Sequence, residues 1–475
     1  MPSKGIEVYS YITLPNYRVN FSVPGGSITR TEDDNFTSYH LEVESKDIPG
    51  LAHFTGRFQF QVLSDTGEEI TTQWNDINTL SGKLEGGTMM SSKDQQSILN
   101  GDALVTYGFY HAGHGEVGLT NLCQCYVTVV SLSAHRTWMT TICPPGSEAE
   151  QKPFSRFVLP APHDDGMNSM STCEAVLVDR DEALVEVLSN HIPAIHWLAE
   201  HLTHKMIASE LPNVIYGLAI TQKDPIPVLL DIGARYFEFR PAHLLPEFEG
   251  KAAHVPNRPY FQHACIPGIA FEEFLQEVVH FLDKNPGEHV VVHIRWDNIV
   301  SQCRKPTPEE LDEAFNIATG VSKTGVQWGD ARCFKEKIVD LRASGKRLIR
   351  VIEADKYDSW TAKAYATLKP EPIIAQFEAM NAEGQLGSDI TVLQCQATSQ
   401  SIKEVLVYSI LTANAATSCL TSTKASLDRH TLPWIRDNAL EKLTSERLLV
   451  IMNDFMDGAT TDIVIGLNKR RFVSL

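Results

Sequence analysis

Residues 271–295 read Phe271-Glu272-Glu273-Phe274-Leu275-Gln276-Glu277-Val278-Val279-His280-Phe281-Leu282-Asp283-Lys284-Asn285-Pro286-Gly287-Glu288-His289-Val290-Val291-Val292-His293-Ile294-Arg295, and this stretch decides the fold class. Apolar residues recur at helical spacing over 271–282, Asn285-Pro286-Gly287 stops the helix, and 288–295 follows at once as a buried strand. Thr307-Pro308-Glu309-Glu310 then opens another helix with an N-cap threonine, a proline at the first helical position and a capping-box glutamate. The same alternation extends both ways, with short apolar runs at 156–159, 236–240, 260–263, 348–353, 390–396 and 448–453 separated by helical stretches. Strands alternating with helices over 154–475 predict a TIM-type (β/α)8 barrel, distorted, with one strand unplaced; a doubly wound open sheet is the fallback.

Upstream the rhythm is different. Runs at 17–23, 39–43, 57–62, 103–110 and 123–132 are rich in β-branched and aromatic residues and punctuated by Gly, Asp, Asn and Ser. They predict a β-sandwich-like domain over 1–143, of unassigned role. Residues 144–153, from Pro144-Pro145-Gly146 to Lys152-Pro153, read as a linker by composition. The 475 residues suit two or three domains at roughly 150 residues each.

Charge narrows the function. Lys and Arg number 41 against 59 Asp and Glu, a net charge of −18 that disfavours nucleic acid and anionic bilayers at long range. No run approaches the roughly 18 apolar residues of a membrane span, and residues 1–20 lack the apolar centre of a signal peptide. Nine cysteines without framework spacing read as reduced thiols, so a cytoplasmic location is expected. The Asn35-Phe36-Thr37 sequon is then expected to carry no glycan.

Three motifs fail on context. Gly113-His114-Gly115-Glu116-Val117-Gly118 has dinucleotide-fingerprint spelling, yet a strand-like run follows it where a helix N-terminus is required. His111, His114, Cys123 and Cys125 are zinc-ligand types at a spacing that matches no structural zinc site. Lys469-Arg470-Arg471 reads as a solvated helix end.

Three strand ends carry chemistry. The 157–159 run enters a turn bearing His163 and Asp164, the 236–240 run ends Glu238-Phe239-Arg240, and the 260–263 run ends in His263. Alternation puts Glu238 and Arg240 on one face. At the C-terminal mouth of a barrel these positions are the usual catalytic ones. An ion pair and satisfied core histidines are the bland alternatives.

These segments resemble the catalytic X-region of phosphatidylinositol-specific phospholipase C enzymes. Leu159-Pro160-Ala161-Pro162-His163-Asp164-Asp165-Gly166 is similar to the family's IPGTHDSG signature, and 231–240 to its D-x-G-x-R-Y-x-D-x-R strand. His263 with the following helix resembles the second-histidine region, and 392–398 and 451–455 resemble late strands. The likeness spans about 154–470, is closest to the single-barrel fungal and bacterial branch of PLC-like phosphodiesterases, and excludes the N-terminal part.

The resemblance implies His163 as general base, His263 as general acid and Arg240 on the phosphoryl oxygens. It further implies that Asp164 supports His263 and Asp454 supports His163. The expected substrate is a phospholipid of the phosphatidylinositol type or a small phosphodiester, cleaved by a neighbouring hydroxyl, with peripheral membrane contact compatible. Metal-dependent relatives place Glu-x-Asp on the second strand; Arg240 stands in for that ligand, so no metal and no cofactor are expected, calcium or magnesium being disfavoured. Glu238, Arg295 and Asp297 are candidate substrate contacts. Ala161, Pro162, Asp165, Glu238 and Ala264 depart from the family pattern, and 167–221 is longer than usual, partly helical over 181–202. The same site acting on a non-lipid substrate, or a non-catalytic binding protein, are the competing readings.

Overall fold

The structure, a computed structural model, describes residues 3–112, 122–169, 171–176, 182–249, 255–397, 418 and 420–473. Two five-stranded sheets form the N-terminal part. One runs in the order Ser38–Glu44, Ser3–Ile12, Cys123–Ser131, Ala103–Tyr110, Ile98–Asn100, and the other Gly26–Arg30, Arg18–Val23, Thr55–Leu63, Glu69–Asn78, Leu84–Gly87. Alternate residues of both sheets, among them Val8, Phe21, Phe58, Phe60 and Phe109, are wholly buried in one shared core. Phe60 meets Tyr107 edge-on with ring centroids 5.2 Å apart, an aromatic contact between the two sheets.

The C-terminal part is built on two four-stranded parallel sheets. Val158–Pro162, Leu448–Asn453, Ile390–Gln394 and Lys356–Asp358 neighbour one another in that order, as do Tyr236–Phe239, Val290–Ile294, Lys346–Ile352 and Gln327–Gly329. The Arg235 amide donates to the Pro160 carbonyl at 3.0 Å and sets the two sheets side by side. Inward-facing Leu159, Ala161, Tyr236, Val291, Ile349, Val351, Val392, Val450 and Met452 share a single core. The opposite faces pack on helices, Phe237 and Phe239 against Phe274 for example. Among the described residues no ladder joins Lys346–Ile352 to Lys356–Asp358, so a closed hydrogen-bonded ring is not seen.

Several sequence expectations change in detail. The 260–263 strand exists, but it is the middle of an antiparallel sheet with Pro241–Ala242 and Ile266–Ala270, not a parallel strand. Its hairpin folds back because the chain leaves the Tyr236–Phe239 strand and turns at Ala264, which has φ of +57°. The 181–202 region is helical as Glu182–His191 and Pro193–His201, and Val185, Leu188, Ile195 and Leu198 join the large core outside the parallel sheets. Residues 144–153 do not hang free: Glu150 is buried and paired with Arg342, which also donates to the Cys143 carbonyl at 2.7 Å. Arg471, expected in solvent, is buried against the carbonyls of Arg156, Phe157, Thr444 and Arg447, because the Gly458–Val473 helix delivers it to the strand starts. The described cysteines are free and buried, and no described helix is long and apolar enough to cross a membrane. His111 bonds the Gly82 carbonyl at 2.7 Å, while 113–121, including the glycine spelling and His114, lie outside the described residues.

Trp138 ties the two parts together. It is fully buried, donates from Nε1 to the Gly233 carbonyl at 3.0 Å and meets Phe157 edge-on at 5.8 Å. Trp138→Ala is expected to cost about 3–5 kcal/mol, read as a lowered urea midpoint; an unchanged midpoint contradicts this packing account.

Candidate active site

The strand faces change character as they rise. Leu159 and Ala161 lead to His163, Val450 and Met452 to Asp454, Tyr236 to Glu238 and Arg240, and Val291 to His293 and Arg295. Period two keeps each series on one face, so an apolar floor ends in a ring of polar groups at the carboxyl ends of the strands.

His163 leaves its strand with its amide on the Asn453 carbonyl at 2.9 Å, and its Nδ1 lies 2.8 Å from Asp454 Oδ1. Asp164 adopts φ of +44°, a left-handed turn that points its carboxylate back across the mouth. Its Oδ1 lies 2.7 Å from Arg240 Nη2, and its Oδ2 lies 3.7 Å from His163 Nε2 and 3.6 Å from His263 Nε2. One buried carboxylate thus faces the guanidinium and both imidazoles. Asp164 does not favour His263 over His163, whereas Asp454 contacts His163 as expected.

Two close backbone approaches bring His263 there. A Cβ on Gly166 would lie 2.3 Å from Phe261, and one on Gly268 would lie 2.0 Å from the Gly166 carbonyl oxygen. The hairpin carrying His263 lies directly on the His163–Asp164 turn, and the Ile269 amide donates to that same carbonyl at 3.0 Å. Thr221 and Gln222 brace the turn from behind. Thr221 Oγ1 donates to the His163 carbonyl at 2.9 Å, and Gln222 Nε2 to the His163 and Asn453 carbonyls at 3.0 Å each.

Electrostatics separates the two imidazoles. Burial alone would lower His163, but the Asp164 and Asp454 carboxylates outweigh it and raise the pKa to about 9. His263 is lowered, by burial and by the Arg240 guanidinium, against the opposing pull of Asp164. Asp164 itself stays ionised: burial opposes its charge, yet Arg240 and the histidines hold it at about 2. Asp165 differs from its neighbour. It is wholly buried with no other residue hydrogen-bonded to its carboxylate, and burial beside Asp164 pushes its pKa well up.

Glu238 lies in a buried ion network. Lys356 Nζ lies 2.6 Å from Glu238 Oε1, with Arg295 Nε at 3.6 Å and His293 Nδ1 at 4.0 Å. Burial disfavours this carboxylate, but Lys356 foremost among its cationic neighbours holds it at about 2. Arg295 also pairs with Asp297, and Lys356 with Asp358 at 3.0 Å. The three expected substrate contacts therefore form one ion network beside the His–Arg–His group. Lys356, Thr221 and Gln222 were absent from the sequence reading; an isolated lysine in a short polar strand and a Thr-Gln pair in a loop carry no motif. No group of three or more His, Cys, Asp and Glu among the described residues is placed to hold a metal ion.

Human PI-PLC X domain-containing protein 1 is 23% identical to the chain over 361 residues, covering 71% of this chain and 94% of that protein. The chain resembles the PI-PLC X-domain proteins. Crystal structures of phosphatidylinositol-specific phospholipase C from Staphylococcus aureus cover 70% of this chain and 98% of their own. Their sequence identity is 12%, with TM-scores of 0.43 for a pentafluoro-Phe-incorporated enzyme and 0.42 for a structure from a membrane-binding study. No family model matches the chain.

The charge arrangement gives a direct expectation for the imidazoles. In a histidine NMR titration His163 should titrate near 9 and His263 below the ordinary value of about 6.5. Asp164→Asn removes a carboxylate shared by both rings and should move both titrations to lower pH. A His163 that titrates at its ordinary value in the native protein contradicts the geometry.

Proposed function

We propose that the protein is a PLC-like phosphodiesterase that cleaves a phosphodiester without a metal ion, using His163 and His263 as acid–base pair and Arg240 as phosphoryl-oxygen ligand. The observation that carries this reading is the single Asp164 carboxylate oxygen with an imidazole Nε2 at 3.7 Å and another at 3.6 Å, beside a guanidinium paired to the same carboxylate. The two rings are thereby within the span of one phosphoryl group, on the order of 5–8 Å when hydrogen-bond reach on each side is counted. The architecture in this reading is a β-sandwich over 1–143, a connecting segment over 144–153 and a distorted (β/α)8 barrel over 154–475.

His163 takes the proton of a neighbouring hydroxyl as it attacks phosphorus, and His263 gives a proton to the departing oxygen. Arg240 binds the non-bridging oxygens as their charge grows. Asp454 orients His163, and Asp164 holds Arg240 in place and lies against both rings. At rest the proton sits on His163, because two carboxylates face it and Arg240 faces His263. A phosphodiester anion on Arg240 offsets the guanidinium that holds His263 neutral and draws the shared proton toward the acid. After the first step His263 is the base and His163 the acid, so the resting protonation state suits attack of water on a cyclic phosphate intermediate.

Lys356 and Arg295 already neutralise Glu238, and Arg240 replaces a second carboxylate, so the donor set suits an anion rather than a hard cation. Substrate class follows from the human relative's name: a phosphatidylinositol-type lipid, or a water-soluble phosphodiester of the same chemistry. The buried free cysteines among the described residues accord with a reducing, cytoplasmic setting.

Turnover of an inositol phosphodiester, as lipid vesicles and as a soluble chromogenic ester, should persist in EDTA. His163→Ala and His263→Ala should each lower kcat by about 10²–10⁴, and Arg240→Lys by about 10²–10³. Undiminished turnover in either histidine variant, or loss of activity in EDTA, refutes the mechanism. The kcat/KM profile should be bell-shaped, because activity needs one proton on the imidazole pair. It should fall on the acid side as His263 takes up its proton below the ordinary histidine range, and on the alkaline side near 9 as His163 loses its own.

A further inference from the structure

Behind the His163–Asp454 pair, where the N-terminal sheets meet the barrel, lies a buried charge cluster that the mechanism above leaves unused. Lys424 and Asp428 are one turn apart on the Thr421–Lys442 helix, 3% and 8% exposed, and their side chains are directly paired. Asp457, 2% exposed, lies 3.4 Å from the same ammonium and caps the next helix by accepting from the Ala459 amide at 3.1 Å. From the other side Tyr126, on the Cys123–Ser131 strand, places its ring 5.8 Å from Lys424 Nζ. A cavity of about 40 Å³ beside the cluster is lined by Tyr9, Tyr11 and Tyr126 from the N-terminal sheet and by Lys424, Asp428 and Asp457 from the barrel.

A hydrogen bond from Asn453 links the cluster to the site. Asn453 Nδ2 donates to Asp428 Oδ1 at 2.9 Å and to Thr460 Oγ1 at 3.1 Å. The Asn453 carbonyl receives the His163 amide at 2.9 Å, and Asp454 is the next residue. Asp428 therefore holds the residue that fixes the backbone of both partners. We propose that Lys424 and Asp428 are positioning residues for the Asp454–His163 pair, with Tyr126 of the N-terminal sheet packed against the ammonium.

The physical argument has two parts. A carboxylate this deep is retained only with a partner, so Asp428 can brace Asn453 as an anion only while Lys424 is present. Burial pushes the Asp454 carboxyl up and His163 chiefly opposes it, with the Lys424 ammonium adding a smaller pull in the same direction as His163. Burial likewise pushes Asp428 up, to about 6, with Lys424 opposing and Asp457 assisting. Tyrosine rings around the pair keep the local dielectric low and the interaction strong. Outer-shell partners of metal-bound histidines are typically worth about 10- to 100-fold in activity, and a brace on this histidine–carboxylate pair is expected to be worth the same order.

This inference rests on the catalytic reading of His163 and Asp454, and its test separates the two. In the full chain, Lys424→Met and Asp428→Ala should lower kcat about 10- to 100-fold while KM stays nearly constant. Asp428→Asn, which keeps an acceptor for Asn453, should lose less than Asp428→Ala. The 2.8 Å His163 Nδ1–Asp454 Oδ1 contact should give a downfield Nδ1 proton resonance in the native protein without substrate, and that resonance should shift or vanish in Lys424→Met and Asp428→Ala. Variants that are folded by circular dichroism yet keep native kcat and the native resonance overturn the proposal, as does a fall in kcat with the resonance unmoved. If Lys424→Met fails to fold, the two Asp428 variants decide by the same readouts. A native protein that turns over no phosphodiester refutes the catalytic reading alone, because the His163 resonance still tests the coupling.

Discussion

The Asp164 carboxylate, buried and ionised between Arg240 and two imidazoles, imposes the requirement that the surrounding structure meets. A buried charge without partners costs several kcal/mol, so the turn that carries Asp164 is stable only where three cationic or protonatable groups converge on it. That convergence needs a left-handed turn at Asp164, with φ of +44°, and two glycines that let the His263 hairpin touch the turn. Gln222 and Thr221 occupy the carbonyls that the turn would otherwise leave bare. Each of these features has little use alone, and together they hold three side chains at one rim.

The rest of the molecule supplies the floor and the walls. Alternating apolar residues on both parallel sheets fill the interior, and the polar groups appear only where the strands end. Trp138, Arg471 and the Lys424 cluster all lie where chain segments from distant parts of the sequence are pressed together. Burial there leaves ordinary polar residues paired within the protein.

Much of the site was legible in residue order. His163, Asp164 and Arg240 each close a short apolar run that reads as a strand delivering a polar side chain, whereas Asp454 came only from the resemblance of 451–455 to a late strand of the family. His263 was legible as a residue but not as a placement, because a four-residue strand reads alike in a parallel sheet and in a hairpin. Glu238, Arg295 and Asp297, read as candidate substrate contacts, lie at or just beyond strand ends and form one ion network. Their mutual neutralisation depends on Lys356, which arrives from a strand 118 residues after Glu238. Gln222, Asp428 and Lys424 lie in a loop and a helix with no motif, so their importance follows only from what they touch.

Sequence alone determined the change from β runs to alternating strands and helices, the strand-end residues with acid–base and anion-binding chemistry, and an overall negative charge. These are properties of local periodicity and composition, which neighbouring residues carry without reference to distant ones. The tertiary structure decided which of the polar groups meet, which way burial and neighbouring charge push each imidazole, and which carboxylates are already paired. Those outcomes depend on distance and burial between residues far apart in the chain, and a one-dimensional order contains neither quantity.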